Sequence, residues 1–240
     1  MTPDPVARAA ARDSTALADR AIDRAAGARP IPGNQVSLLI DGPNAFRAMF
    51  ALIEQAEHRI HFENYIIRDD RIGTEFAAAL AAKARSGIEV RVLYDWLGSI
   101  GTSGKYWRAL RNAGAEVRSF NPPRAVDLFA NLTRDHRKFV SADGRHAILG
   151  GLCIGDEWTG YPERGVQPWR DTAVEIRGPA TVGLDQGFSR VWRRAGGRSF
   201  DEILHASGES SGDAAVRVLA GVPGRERTYR VLELLAASCA

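Results

Sequence analysis

The chain has 240 residues, 45% hydrophobic and 25% charged, ample for one large α/β unit and unlike a disordered tail, a collagen or a disulfide scaffold. Its longest aliphatic runs, such as Val36–Ile40, fall far short of the ~20 residues that cross a bilayer, and Met1–Ala10 lacks the basic start and apolar stretch of a secretory signal. A formal net charge of +3 suits anionic partners without choosing between lipid headgroups and nucleic acid, and two distant cysteines suit a reducing compartment.

In chain order, residues 5–26 read as a helix with a thin apolar stripe (Val6, Ala10, Leu17, Ile22), an arm closed by turns over 27–34. A β/α alternation then begins, with a strand at Val36–Ile40 and a cap at Asp41–Asn44. The helix after it carries Phe46, Met49, Phe50, Leu52, Ile53 and Ala56 at helical spacing. Arg59–Ile67 predicts a strand with Ile60 and Phe62 on one side and His61, Glu63 and Tyr65 on the other. Helices follow at 74–86 and 106–113, and strands at 88–94 and 115–120. After Pro122-Pro123 the texture changes to strands at 136–141 and 146–154, joined by a turn at Asp143-Gly144. A strand at 170–177 and a helix at 180–194 come next. Trp169, Phe188 and Trp192 fit the core better than headgroup contacts, because aromatic side chains bury large areas. A glycine- and serine-rich linker precedes a strand at 215–220 and a helix at 225–237. Strands alternating with helices imply a sheet with parallel pairs and helical crossovers.

The chemistry concentrates in His136, Lys138 and Asp143, spaced H-x-K-x4-D. Only three of the 32 cationic side chains are lysine, so about 0.004 such matches are expected by chance. On a strand, residues two apart share a side, so His136 and Lys138 would present an imidazole and an ammonium together, with Arg137 and Phe139 facing away. An imidazole that titrates near neutrality beside a fixed cation suits attack on a phosphodiester, and such chemistry calls for no metal or other cofactor. His58 and His61 would face opposite sides of a strand and make no shared metal site. Glu63, Asp95 and Ser99 lie at or near strand ends, where open α/β sheets place ligand-facing groups, and simple caps or ion-pair partners fit them equally. Arg124, Arg134 and Arg137 fit either an anion-attracting rim or solvated surface.

These residues resemble the phospholipase D superfamily, whose pattern is H-x-K-x4-D-x6-G-[GS]-x-N, and within it the bacterial cardiolipin synthases. The likeness spans residues 30–196. It includes Gly33-Asn34, Phe62–Ile66, Asp69-Asp70, Tyr94-Asp95, Gly98-Ser99, Asn131, Arg134–Lys138, Gly150-Gly151 and Trp169-Arg170-Asp171. The resemblance implies an α/β lobe with a mixed sheet flanked by helices on both faces. The divisions would be an arm (1–33), the lobe (34–196), a linker (197–214) and the start of a truncated second lobe (215–240). It implies that His136 attacks phosphorus or protonates the leaving oxygen, and that Lys138 grips the phosphate. Asp143 belongs to the catalytic motif and orders the turn. Asp171 is expected to hold the histidine's second ring nitrogen, or to be a surface carboxylate. Glu63, Asp95, Asn131, Gly150, Gly151 and Cys153 complete the expected substrate side.

Two departures stand out. Cys153 occupies the family's asparagine position and cannot supply an amide donor; it also reads as a small buried residue. The motif occurs once, whereas these enzymes build one site from two. The implied activity is a phosphatidyltransferase of the cardiolipin synthase type, acting through a phosphohistidine as one half-site. Its substrate would be a phosphatidylglycerol-like phospholipid at the cytoplasmic face of a membrane, held peripherally. Its partner would be a second lobe in cis or a homodimer mate. The alternatives are a homodimeric, metal-independent phosphodiesterase or nuclease, and a non-catalytic, truncated phosphate-binding lobe.

Overall fold

The alternation of Ile60 and Phe62 with His61 and Glu63 along β2 (Arg59–Asn64) sets the layout, because each set meets a different layer. In the computed structural model, which describes residues 17, 19–123, 133–200 and 209–223, eight strands form one mixed sheet. The other elements are β1 (Ile31–Ile40), α1 (Gly42–Gln55), α2 (Arg71–Arg85), β3 (Glu89–Asp95), α3 (Gly104–Asn112) and β4 (Glu116–Phe120). After them come β5 (Phe139–Ala142), β6 (His146–Gly150), β7 (Thr172–Arg177), α4 (Ala180–Arg194) and β8 (Ala214–Val216). The spatial order is β4-β3-β2-β5-β6-β7-β1-β8. Strands β2, β3 and β4 run parallel through helical crossovers, and all other pairings are antiparallel.

Both faces are covered, as expected of this α/β lobe. One face buries Phe46, Leu52, Phe76 and Leu80 of α1 and α2 against Ile60, Phe62, Val92, Val140 and Ile148. The other receives α4 through Phe188, Val191 and Trp192 against Leu93, Phe139 and Ala147. Here β2 and β5 also present polar groups. His61 Nδ1 lies 2.9 Å from Asp185 Oδ1 of α4, and the Ser141 hydroxyl donates to the same oxygen at 2.5 Å. All three are buried. Helix starts are capped by side chains: Asp70 accepts from the Gly73 amide, and Ser103 from the Tyr106 amide.

Several boundaries differ from the sequence reading. β1 begins at Ile31, through Pro32 and Gly33, because a register shift between Ile31 and Asn34 accommodates both residues. Buried Asn34 fastens that irregularity, donating to Ile31 O at 2.6 Å and accepting the Ala180 amide at 2.8 Å. The expected strand at 215–220 is the three-residue β8, laid antiparallel on the edge of β1 rather than opening a further layer. Phe188 and Trp192 are core residues, but Trp169 is 58% exposed, stacked edge-on against Trp158. The arm is helical over 19–26; its start, Arg124, Asn131 and the helix expected at 225–237 lie outside the described residues. Among the described residues, no helix is long and apolar enough to cross a membrane.

Candidate active site

The parallel strands β2 and β3 end at one edge of the sheet. There the chain leaving β2 supplies Tyr65, and the segment entering β5 supplies His136 and Lys138. That segment is not a strand, since β5 starts only at Phe139, so the two-residue alternation does not by itself align the pair. Tyr65 brings them together instead. The His136 ring lies 4.5 Å from the Tyr65 ring, and Lys138 Nζ lies 5.2 Å from the same centroid. Lys138 Nζ also donates to the His136 carbonyl at 2.8 Å. The imidazole is exposed and the ammonium buried.

Side chains from elsewhere hold the irregular backbone. Asp95, fully buried at the end of β3, accepts the Asp135 amide at 2.8 Å on one oxygen. Its other oxygen takes the Leu97 and Gly98 amides and the Arg134 guanidinium. Arg137 turns instead toward β2 and α4. It donates to buried Glu63 at 2.5 Å and to Gly187 O of α4 at 3.2 Å, with Asp135 at 3.4 Å. Burial pushes the Glu63 carboxyl well above its usual range; Arg137 opposes the shift and Asp135 adds to it. Of the groups the resemblance places on the substrate side, Asp95 has both oxygens taken and Glu63 gives Oε1 to Arg137, so both serve as internal clamps, the ion-pair role the sequence equally allows. Arg134 and Arg137 pair with those acids instead of forming a free rim.

The electrostatics suit a neutral imidazole. Partial desolvation lowers the His136 pKa from its ordinary 6.5, and the Lys138 charge lowers it further, against Asp135 and Asp95. Burial likewise lowers Lys138, opposed by Cys153, Asp135 and Asp171. Cys153 is buried beside the ammonium; burial raises its thiol pKa and Lys138 counters that. Asp171 does not hold the histidine. Its Oδ2 accepts the Trp158 indole at 3.1 Å and its Oδ1 the Thr172 amide at 2.8 Å, so its influence on the pair is electrostatic, through Lys138. The glycine pair admits this packing: a Cβ on Gly151 would meet Asp171 Oδ1 at 2.1 Å, and one on Gly150 the Thr172 carbonyl at 2.5 Å.

The family model described as "Cardiolipin synthase, PLD-like domain" matches residues 49–160. Cardiolipin synthase A of Pseudomonas entomophila (strain L48) is 38% identical over 187 residues, covering 74% of this chain and 39% of that protein. The chain carries a phospholipase D-like domain of the cardiolipin synthase type. It spans about two fifths of the length of the curated relatives it matches. Two solved structures share the fold. Phosphatidylserine synthase of Haemophilus influenzae Rd KW20 has a TM-score of 0.59 at 16% identity, covering 91% of this chain and 57% of that one. Nuc of Salmonella typhimurium, a phospholipase D family member, has a TM-score of 0.50 at 17% identity, covering 70% and 98%.

Within this phospholipase D-like domain the third motif residue is remote from the other two. Asp143 follows β5 at its far end, and its carboxylate accepts the amides of Glu57, His58 and Arg59 at 2.8–2.9 Å, fixing the entry to β2. Asp143→Ala is expected to cost about 1–3 kcal/mol in urea denaturation. Turnover per folded molecule should stay close to the parent's, which separates an architectural role from a catalytic one. Sequence reasoning misses Tyr65 and Trp158 as site residues. The signal for Tyr65 was present, since it continues the β2 alternation to the edge where the motif arrives. Trp158 carried none, because its partner Asp171 is reached only by folding of the β6–β7 connection.

Proposed function

We propose that this domain is one half-site of a phosphatidyltransferase of the cardiolipin synthase type. The observation that carries the reading is the gathering of an exposed, pKa-lowered imidazole and a buried ammonium around Tyr65. The His136 nitrogen lone pair forms a bond to phosphorus as the phosphorus–oxygen bond to the leaving alcohol breaks. Lys138 offsets charge on the phosphoryl oxygens. The leaving oxygen takes its proton from an acid on the other face of phosphorus. A second alcohol, the glycerol of another phosphatidylglycerol, then gives its proton to that group and displaces the imidazole.

The opposite face needs a second histidine, which we assign to another phospholipase D lobe, in cis or from a second copy. The free flank of β1 supports such a mate. From Gln35 to Ile40 its outer edge pairs with no strand among the described residues, and Val36, Leu38 and Ile40 are exposed along it. In this reading the protein works at the cytoplasmic face of a membrane. The test is rapid quench with phosphatidylglycerol labelled in its phosphate. An acid-labile phosphoryl label on His136, discharged by added glycerol, is the expected result. A label elsewhere, or turnover with none, would reject the covalent route.

A further inference from the structure

Two loops hang from the segment that follows β2, the segment whose Tyr65 carries His136. The β3–α3 loop is tied on one side: the Ser99 hydroxyl donates to Tyr65 O at 3.2 Å and accepts the Ile67 amide at 3.0 Å, and Thr102 Oγ1 donates to Ile67 O. The β6–β7 connection is tied on the other: the Ile154 amide donates to Ile66 O at 3.0 Å and the Arg68 amide to Ile154 O at 2.9 Å. His136 packs on Tyr65, the first residue of the segment to which both loops are tied.

Both loops expose large apolar side chains. Leu97 is 47% and Ile100 64% exposed on the first; Val166 is 49% and Trp169 58% exposed on the second. Unlike the flat stripe on β1, these stand on loops whose backbones are pinned, so the exposure is built in. Trp169 is braced by Trp158, edge-on at 5.2 Å, and by its backbone N–H, which donates to Glu157 O at 2.9 Å. Beside them stand Arg164 and Arg170, with side chains 73% and 82% exposed. Their only ion pairs among the described residues are surface contacts with Glu163 and Asp41, too weak to withhold them from phosphate groups.

We infer that these two loops form a wedge that seats His136 against a phospholipid bilayer, with Leu97, Ile100, Val166 and Trp169 entering the headgroup–acyl boundary. The inference rests on the reading of the substrate as a phospholipid. Tryptophan favours that boundary, and arginine reaches from it to phosphates. A scissile phosphate lies at the same depth, so the wedge brings it to the imidazole without lifting the lipid from the membrane.

The probe is a set of phosphatidylglycerol–phosphatidylcholine vesicles with brominated acyl chains, added to the 240-residue chain. Brominated vesicles should quench tryptophan fluorescence, and Trp169→Phe should remove most of that quenching. Leu97→Ser with Ile100→Ser should weaken vesicle partitioning at least about tenfold, with turnover of a monomeric short-chain phosphatidylglycerol unchanged. Absence of quenching in the parent chain, or equal partitioning of the double variant, would overturn the wedge. So would a drop in molar mass with partitioning intact, which would assign the loops to a protein seam. Vesicle binding and quenching without turnover of either substrate would keep the wedge and remove the phosphatidyltransferase reading. Short-chain turnover without vesicle binding would do the reverse.

Discussion

His136→Ala lowers phosphatidyl transfer by at least about 10³-fold, the scale on which loss of an attacking group is felt when no neighbour replaces it. The described residues offer no substitute imidazole. His61 is buried against Asp185 beneath α4, His58 precedes β2 at the far end of the sheet, and His146 pairs with Glu175 at the start of β6. The side chain is exposed, so its removal should change unfolding free energy by less than about 1 kcal/mol. Turnover and denaturation therefore separate chemistry from folding. In the parent chain the rate should rise with pH as the imidazole loses its proton. Because the folded-state pKa is lowered, the midpoint of that rise lies below the ordinary 6.5. Full turnover in His136→Ala, or a midpoint above 6.5, would contradict the assignment.

The layout was legible wherever one periodicity met one layer. The apolar side of β2 and the helical spacing from Phe46 to Ile53 needed only local pattern, and both lie in the core. Legibility failed where distant groups overrule local pattern. The stretch from His136 to Ser141 alternates like a strand, yet Asp95, some forty residues earlier, takes the Asp135 amide and holds the first part irregular. Pro32 and Gly33 read as turn residues, but Asn34 binds them into β1 through partners in two other elements. Trp169 reads as core on size alone. Its neighbour Trp158 instead spends its indole on Asp171, the carboxylate expected to orient the histidine.

The site itself was legible as a residue list and less so as a set of roles. His136 and Lys138 do converge, but the agents are Tyr65 and a carbonyl contact rather than strand geometry. Glu63 and Asp95 matter by holding the segment that carries the motif, Asp95 at the Asp135 amide and Glu63 at the Arg137 side chain. Glu63 does so through Arg137, which also reaches Gly187 O and so ties the His136–Lys138 segment to α4. A carboxylate at a strand end carries no mark in the sequence to say whether its oxygens meet a ligand or the protein's own amides. That distinction depends on which chain segment crosses the edge, a long-range property of the fold.

Lys138→Gln should lower turnover about 10²–10³-fold, as removal of one preorganised donor to a developing phosphoryl charge does, and it should also move a second observable. The Lys138 charge is the second cause, after desolvation, of the depressed His136 pKa. Taking it away stabilises the imidazolium, so the His136 pKa rises and the acid limb of the rate profile moves to higher pH. Desolvation remains, which keeps the rise partial. Proton-detected titration of His136 reads the shift even where turnover is too small to follow. Lys138→Arg divides the two effects. It keeps the charge, so the titration midpoint stays near the parent's. The planar guanidinium, however, does not fit the place a compact ammonium holds between the Tyr65 ring, the His136 carbonyl and Cys153, so turnover stays low. An unmoved midpoint in Lys138→Gln would mean that the two groups do not share a field, and the paired site would then have no physical basis.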